Sequence, residues 1–178
     1  MVNLFSSVSE SSIEEQAPPV FISYQWDMQS RVEEIRHVLQ VHGISCWADI
    51  SPAMASSQQR MHSGVSQRSA HVPEFSMPEN LQSQIQRTMK AAAVVICCVT
   101  PKYMQSDNCM KDLTLAETFH KTIIPVMMRF CPWPPEGAPG PVRKILVKHT
   151  PIDLSNEKMF KQNILTLLEK VRRHVSVK

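Results

Sequence analysis

A chain of 178 residues and 20.2 kDa has room for one globular domain with flanking tails and not for two full domains. With 43% hydrophobic residues, 20% charged residues and a formal net charge of +3, it can bury one core and is too apolar to stay unfolded. No apolar run approaches the ~18 residues of a membrane helix. Residues 1–19 have neither a basic start nor an apolar stretch, so the expectation is no membrane insertion, no signal peptide and a cytoplasmic location.

The four glycines, Gly43, Gly64, Gly137 and Gly140, exclude more than any other feature. Neither G-x-G-x-x-G, nor G-x-x-x-x-G-K-[ST], nor G-x-S-x-G can be written with them, which removes classical dinucleotide folds, P-loop NTPases and α/β-hydrolases. The five cysteines include no C-x-x-C pair and read as reduced thiols. The seven histidines form no H-E-x-x-H and no zinc-spaced quartet with cysteine, so no metal site is expected.

In chain order, residues 1–19 carry Glu10, Glu14 and Glu15 without Lys or Arg, and read as an acidic, disordered tail before a domain over 20–178. Val20, Phe21, Ile22, Ser23 and Tyr24 follow a proline boundary as a buried strand. Over 29–42, Val32, Ile35, Val38 and Leu39 recur at helical spacing and Gly43 stands where a C-terminal cap belongs. A second strand follows over 44–48. Ser76, Pro78 and Glu79 read as a capping box opening a helix whose apolar face is Leu81, Ile85 and Met89. The run around Val94 to Val99 shows no alternation and predicts a strand buried on both faces.

A helix is expected over 108–120, with Cys109, Asp112 and Ala116 on one face, then a strand over 122–128 placed at the outside of the sheet by Pro125. A Pro/Gly-rich turn over 131–141, a short segment over 150–154 and a final helix carrying Phe160, Ile164, Leu167, Leu168 and Val171 complete the chain. That helix lies in the basic stretch 156–178, with six basic and two acidic residues, which reads as a solvated face and not as a nucleic-acid surface. Strands regularly separated by helices predict an α/β fold, a doubly wound parallel sheet of about five strands with helices on both faces. The stretch 51–78, with seven serines and no extended apolar run, interrupts the rhythm and reads as a long inserted loop.

These residues resemble a known family. The Phe21, Ile22, Ser23, Tyr24, Gln25, Trp26, Asp27 string followed by Trp47, Ala48, Asp49 and Ile50 is similar to the opening of a Toll/interleukin-1 receptor (TIR) domain, in particular the animal branch that begins FISYQWD. Downstream, Tyr103, Ser106, Cys109, Asp112 and Ala116, then Ile124 and Pro125, resemble the family's Y-x-x-S-x-x-C-x-x-E-x-x-x-A and I-P pair. The likeness covers about 20–175 and implies a flavodoxin-like fold. It also implies one of two activities. As an interaction module, the chain would act as a signalling scaffold or adaptor through homotypic or heterotypic contacts with other TIR domains, needing no cofactor. As an enzyme, it would cleave NAD at the nicotinamide-ribose bond, with NAD as substrate.

NAD cleavage passes through an oxocarbenium-like state that wants a carboxylate beside the ribose. The family's glutamate falls here on Asp112, which keeps the charge and withdraws it by one methylene. Glu117, about 140° further around the helix, is a poor substitute. Tyr24, Trp26, Asp27 and Thr100, at the carboxyl ends of the first and third strands, are the expected nucleotide cleft, with packing on the final helix as the alternative reading of Trp26 and Asp27. Trp47 reads as core, Cys109 as a small buried hydrophobe, and Pro132, Trp133, Pro134 and Pro135 as a rigid surface loop. The family's stacking loop follows W-x-D-I, so the inserted loop stands in its place. Only its end, with Phe75, Met77 and Pro78 beside the capping box, is expected to contribute to assembly.

Overall fold

The computed structural model describes residues 17–48 and 81–175. The expected tail over most of 1–19, the loop over 51–78 with Phe75, Met77 and Pro78, and the capping box at Ser76 and Glu79 therefore lie outside the described residues. Strand β1, Val20–Ser23, is followed by a single 3-10 turn, Trp26–Met28, and by helix α1, Gln29–Val41. Strand β2, Cys46–Ala48, precedes α2, Leu81–Ala91, and β3, Val94–Val99. Then come α3, Pro101–Gln105, α4, Asp107–Thr118, β4, Thr122–Met127, α5, Gly140–Leu146, β5, Ile152–Asp153, and α6, Glu157–Arg172.

All the strand pairings are parallel, and the five strands lie in the order β2-β1-β3-β4-β5. This is the flavodoxin-like winding, in which the strand order reverses beside β1 and β3 and opens a crevice at their carboxyl ends. Side chains alternate across each strand, so the sheet divides the interior in two. Val20, Ile22, Val94, Ile96, Cys98, Ile124 and Val126 meet α1 and α6 on one face. Phe21, Val95, Cys97, Val99, Ile123 and Met127 meet α2 to α5 on the other.

Local chemistry sets the helix boundaries. The side chains of Thr100, Ser106 and Asn156 each accept a hydrogen bond from the backbone N–H three residues on, capping α3, α4 and α6. At the end of α1, Gly43 takes a φ of 78°, the left-handed conformation that a closing turn requires. Arg31 ties α1 to α6, with its guanidinium 4.6 Å from the Phe160 ring centroid and 3.1 Å from Glu157.

Three expectations need correction. Pro125 does not mark an outer strand, because β4 lies between β3 and β5. The proline is accommodated because β5 pairs only with Val126 and Met127, so no β5 residue stands opposite the missing N–H. Helix α3 was not expected, although Thr100 followed by Pro101 is a cap followed by a first-turn proline. Helix α5 begins inside the stretch read as a turn, where Pro141 stands in its first turn and Val142, Ile145 and Leu146 form its buried face.

Candidate functional site

A cleft of about 390 Å³ opens at the carboxyl end of β1, between α2 and α4. Ser23, Tyr24, Gln25 and Trp26 reach it from β1 and the turn beyond, Leu81, Gln82, Ile85 and Gln86 from α2, and Asn108, Cys109, Lys111 and Asp112 from α4. Trp47 closes one side and stacks on Phe21, with ring centroids 4.7 Å apart. Among the described residues, the cleft is thus an aromatic and aliphatic hollow ringed by amide side chains, one ammonium and one carboxylate.

The carboxylate is held from beneath. Ser23 Oγ donates to Asp112 Oδ2 at 2.8 Å, and Ser23 Oγ lies 3.0 Å from Tyr103 Oη. An ionised carboxylate has only lone pairs to offer, so the Ser23 proton must point to Asp112. The Tyr103 hydroxyl must then donate to Ser23, and the three side chains form a one-way chain of hydrogen bonds. Ser23 and Tyr103 are buried at 2% and 1% exposure, so neither hydroxyl has water as an alternative partner.

Burial raises the pKa of every ionisable group beneath the carboxylate. Tyr103 is pushed well above the ordinary phenol value, Cys97 up to about 12 and Cys109 up to about 11, desolvation being the largest cause in each. Cys109 therefore remains a thiol, 3.7 Å from the Tyr24 carbonyl and 3.6 Å from Gln25 Oε1, and acts as a weak donor rather than a nucleophile.

Of the residues expected in the cleft, Tyr24, Trp26 and Asp112 line it. Asp27 and Thr100 are not among the lining residues. Asp27 turns to Lys102, 3.3 Å away, at the same end of the sheet. Thr100 is fully buried, and its hydroxyl accepts from the Tyr103 N–H at 3.0 Å to cap α3. Trp47, read as core, is both packed on Phe21 and part of the cleft wall. Glu117 pairs with Lys148, away from the cleft. Trp133 packs against the α2 to α5 side of the core and donates to the His149 carbonyl at 3.1 Å, so the proline-rich segment is seated on the fold.

The sequence reading assigned no role in the site to Ser23 or Tyr103. Period-two alternation was the available signal for Ser23, since it places that side chain on the same face as Phe21, beneath α4. No sequence rule joins Ser23 to Tyr103, 80 residues away.

The family model described as TIR domain matches residues 69–168, more than half of the chain. The chain belongs to the TIR domain family. Among solved structures it is similar to the TIR domain of the Toll-related receptor TRR-2 from Hydra magnipapillata, at 16% identity and a TM-score of 0.58, covering 87% of this chain and 98% of that one. It is also similar to the TIR domains of the activated Roq1 resistosome that recognises the pathogen effector XopQ, at 14% identity and a TM-score of 0.55, covering 88% and 98%. At these identities the likeness speaks for the fold. No curated protein matches the chain. No helix among the described residues is long and apolar enough to cross a membrane.

Proposed function

We propose that the chain is a cytoplasmic TIR interaction module, of the FISYQWD-type branch, that signals as a scaffold or adaptor by contacting other TIR domains, its own copies or different ones. Family membership supports the reading, as does its fold likeness to TIR domains, among them those of the Roq1 resistosome assembly. The observation that carries it is Asp112. In the position of the family's glutamate stands a carboxylate one methylene shorter, with Oδ2 bonded to Ser23 in the cleft wall. A displacement of ~1 Å at a reacting centre can cost ~100-fold in rate. The helical faces and the segment around Phe75, Met77 and Pro78 are the proposed contact surface. Concentration-dependent assembly followed by light scattering, together with pull-down of TIR partners, tests it. A strictly monomeric chain that captures no TIR domain would count against it.

The cleft itself favours a second reading, slow NAD cleavage. A hollow of about 390 Å³ lined by two tryptophans and a carboxylate has the size and lining of a small-molecule site, and its aromatic faces and carboxylate suit a base and a ribose. In that reaction the bond from ribose C1′ to nicotinamide breaks, its electron pair leaves with nicotinamide, and water adds at C1′ with loss of a proton. Asp112 would stabilise the positive charge at C1′. Nicotinamide release from the wild type, Asp112→Ala and Asp112→Glu separates the two readings. Turnover abolished by Asp112→Ala supports an enzyme. Turnover only in Asp112→Glu would mean that the cleft is intact and the short side chain disarms it, and none in any of the three leaves the interaction module alone.

A further inference from the structure

We propose that Ser23 and Tyr103 are positioning residues that fix the Asp112 carboxylate at the cleft. The inference rests on the reading of the cleft as a ligand site and concerns what aims the Asp112 carboxylate that lines it. Helix α4 brings Asp112 only to half-burial, and an aspartate on a helix surface ordinarily samples several rotamers. Here Ser23 Oγ at 2.8 Å anchors Oδ2, and Tyr103 at 3.0 Å anchors Ser23. The anchors are rigid. Ser23 is the last residue of β1, with its backbone in register with Cys97 of β3. Tyr103 is fully enclosed and held by its N–H to Thr100.

The proton order gives the chain a direction. Each hydroxyl donates toward the carboxylate, so both bonds are strongest when Asp112 is ionised and each polarises the next. Among the described residues, the other ionisable groups that face this network are the Cys97 and Cys109 thiols and, from α4, Lys111 in the cleft wall. The thiols stay neutral across the range in which a carboxylate titrates.

The test is the titration of the Asp112 side-chain carboxyl carbon by NMR, without substrate, in the whole chain. A chain that never cleaves NAD still answers it, so this proposal and the enzymatic reading fail separately. Ser23→Ala removes a hydrogen bond that is stronger to the charged form, and the midpoint should rise by about one unit. Tyr103→Phe removes the donor behind Ser23 and should raise it by less. Ser23→Thr restores the hydroxyl and should restore the midpoint, which a purely structural role for Ser23 does not predict. An unchanged midpoint in Ser23→Ala, or an equal rise in Ser23→Thr, overturns the proposal. Should the variants not fold, the wild type decides. A Ser23 hydroxyl proton slow enough to exchange to be seen, with cross-relaxation to the Asp112 β-protons, is expected, and its absence overturns the proposal.

Discussion

The two faces of the sheet are built from the same strands and made differently. Among the described residues, the fully buried side chains of the face under α1 and α6 are aliphatic, aromatic or sulfur-containing. The face under α2 to α5 carries an equally apolar floor, and at its upper end the Tyr103 and Ser23 hydroxyls lead to Asp112 and the cleft. An apolar face tolerates exchange of shape at constant volume. A buried polar chain does not, because losing one member leaves the next unsatisfied. The first face therefore supports, and the second presents.

The largest effect that sharpens this contrast is alkaline. Cys46 and Cys98 lie on the supporting face, Cys97 and Cys109 on the presenting one, and burial raises all four thiols, Cys46 and Cys109 to about 11 and Cys97 to about 12. Above pH 9 the unfolded thiols lose protons that the folded ones keep, so the folded state binds more protons and stability falls as pH rises. Below pH 9 the contribution is intact. Each thiol adds a slope of about 1.4 kcal/mol per pH unit until its folded value is reached. Denaturant titrations from pH 8 to 11 should show this loss, and Cys98→Ala and Cys97→Ala should flatten it to a similar degree. A flattening confined to one of them would mean that the faces differ in their thiols and not only in the Ser23 chain.

The next effect separates support from presentation. Leu167, fully buried from α6, belongs to the supporting face alone. Leu167→Ala should cost about 2–5 kcal/mol in chemical denaturation. In the folded protein, the Asp112 titration should not move. A shift of that midpoint would mean that the two faces are mechanically coupled through the sheet.

The same division governs what could be read before the structure was known. The supporting face was legible because local signals agree there. The β1 and β3 runs, the 3.6-residue repeat of α1 and α6 and the glycine at Gly43 all report on elements whose partners need not be named. Asp112, Trp26 and Tyr24, which line the cleft, are singled out by a linear motif and a strand end. Thr100 was placed in the cleft on the same strand-end argument, and its hydroxyl instead caps α3, a competition between cap and site that sequence alone does not decide. Ser23, Gln82 and Gln86 reach one hollow from elements far apart in the chain, and Trp47 joins them because β2 pairs with β1. Such convergence is set by tertiary packing, which no local period encodes. Helix α5 was missed for a different reason, since its Gly and Pro residues read as punctuation while its apolar spacing began one residue later.

The smallest effect compares one helix end from each face. Helix α1 closes with Gly43 N–H to Gln40 O and Ile44 N–H to Leu39 O, both at 2.9 Å. Helix α4 closes with the same pair of bonds, His120 N–H to Glu117 O at 3.0 Å and Lys121 N–H to Ala116 O at 2.9 Å. Both are Schellman turns with a left-handed residue at the pivot. The pivot in α1 is glycine at a φ of 78°, whereas in α4 it is His120 at a φ of 52°, where a side chain with a Cβ is strained. His120 is exposed, and the bonds that close the turn are made by the backbone. His120→Gly relieves the Cβ strain and gives back part of that gain in unfolded-chain entropy, for a net stabilisation of about 0.5–1 kcal/mol. The reverse change at the other pivot, Gly43→Ala, should destabilise by about 1 kcal/mol or more. A midpoint shift in opposite directions for the two variants is the expected result. If His120→Gly destabilises instead, the imidazole supports the C-terminal end of α4, and the two helix ends are not equivalent.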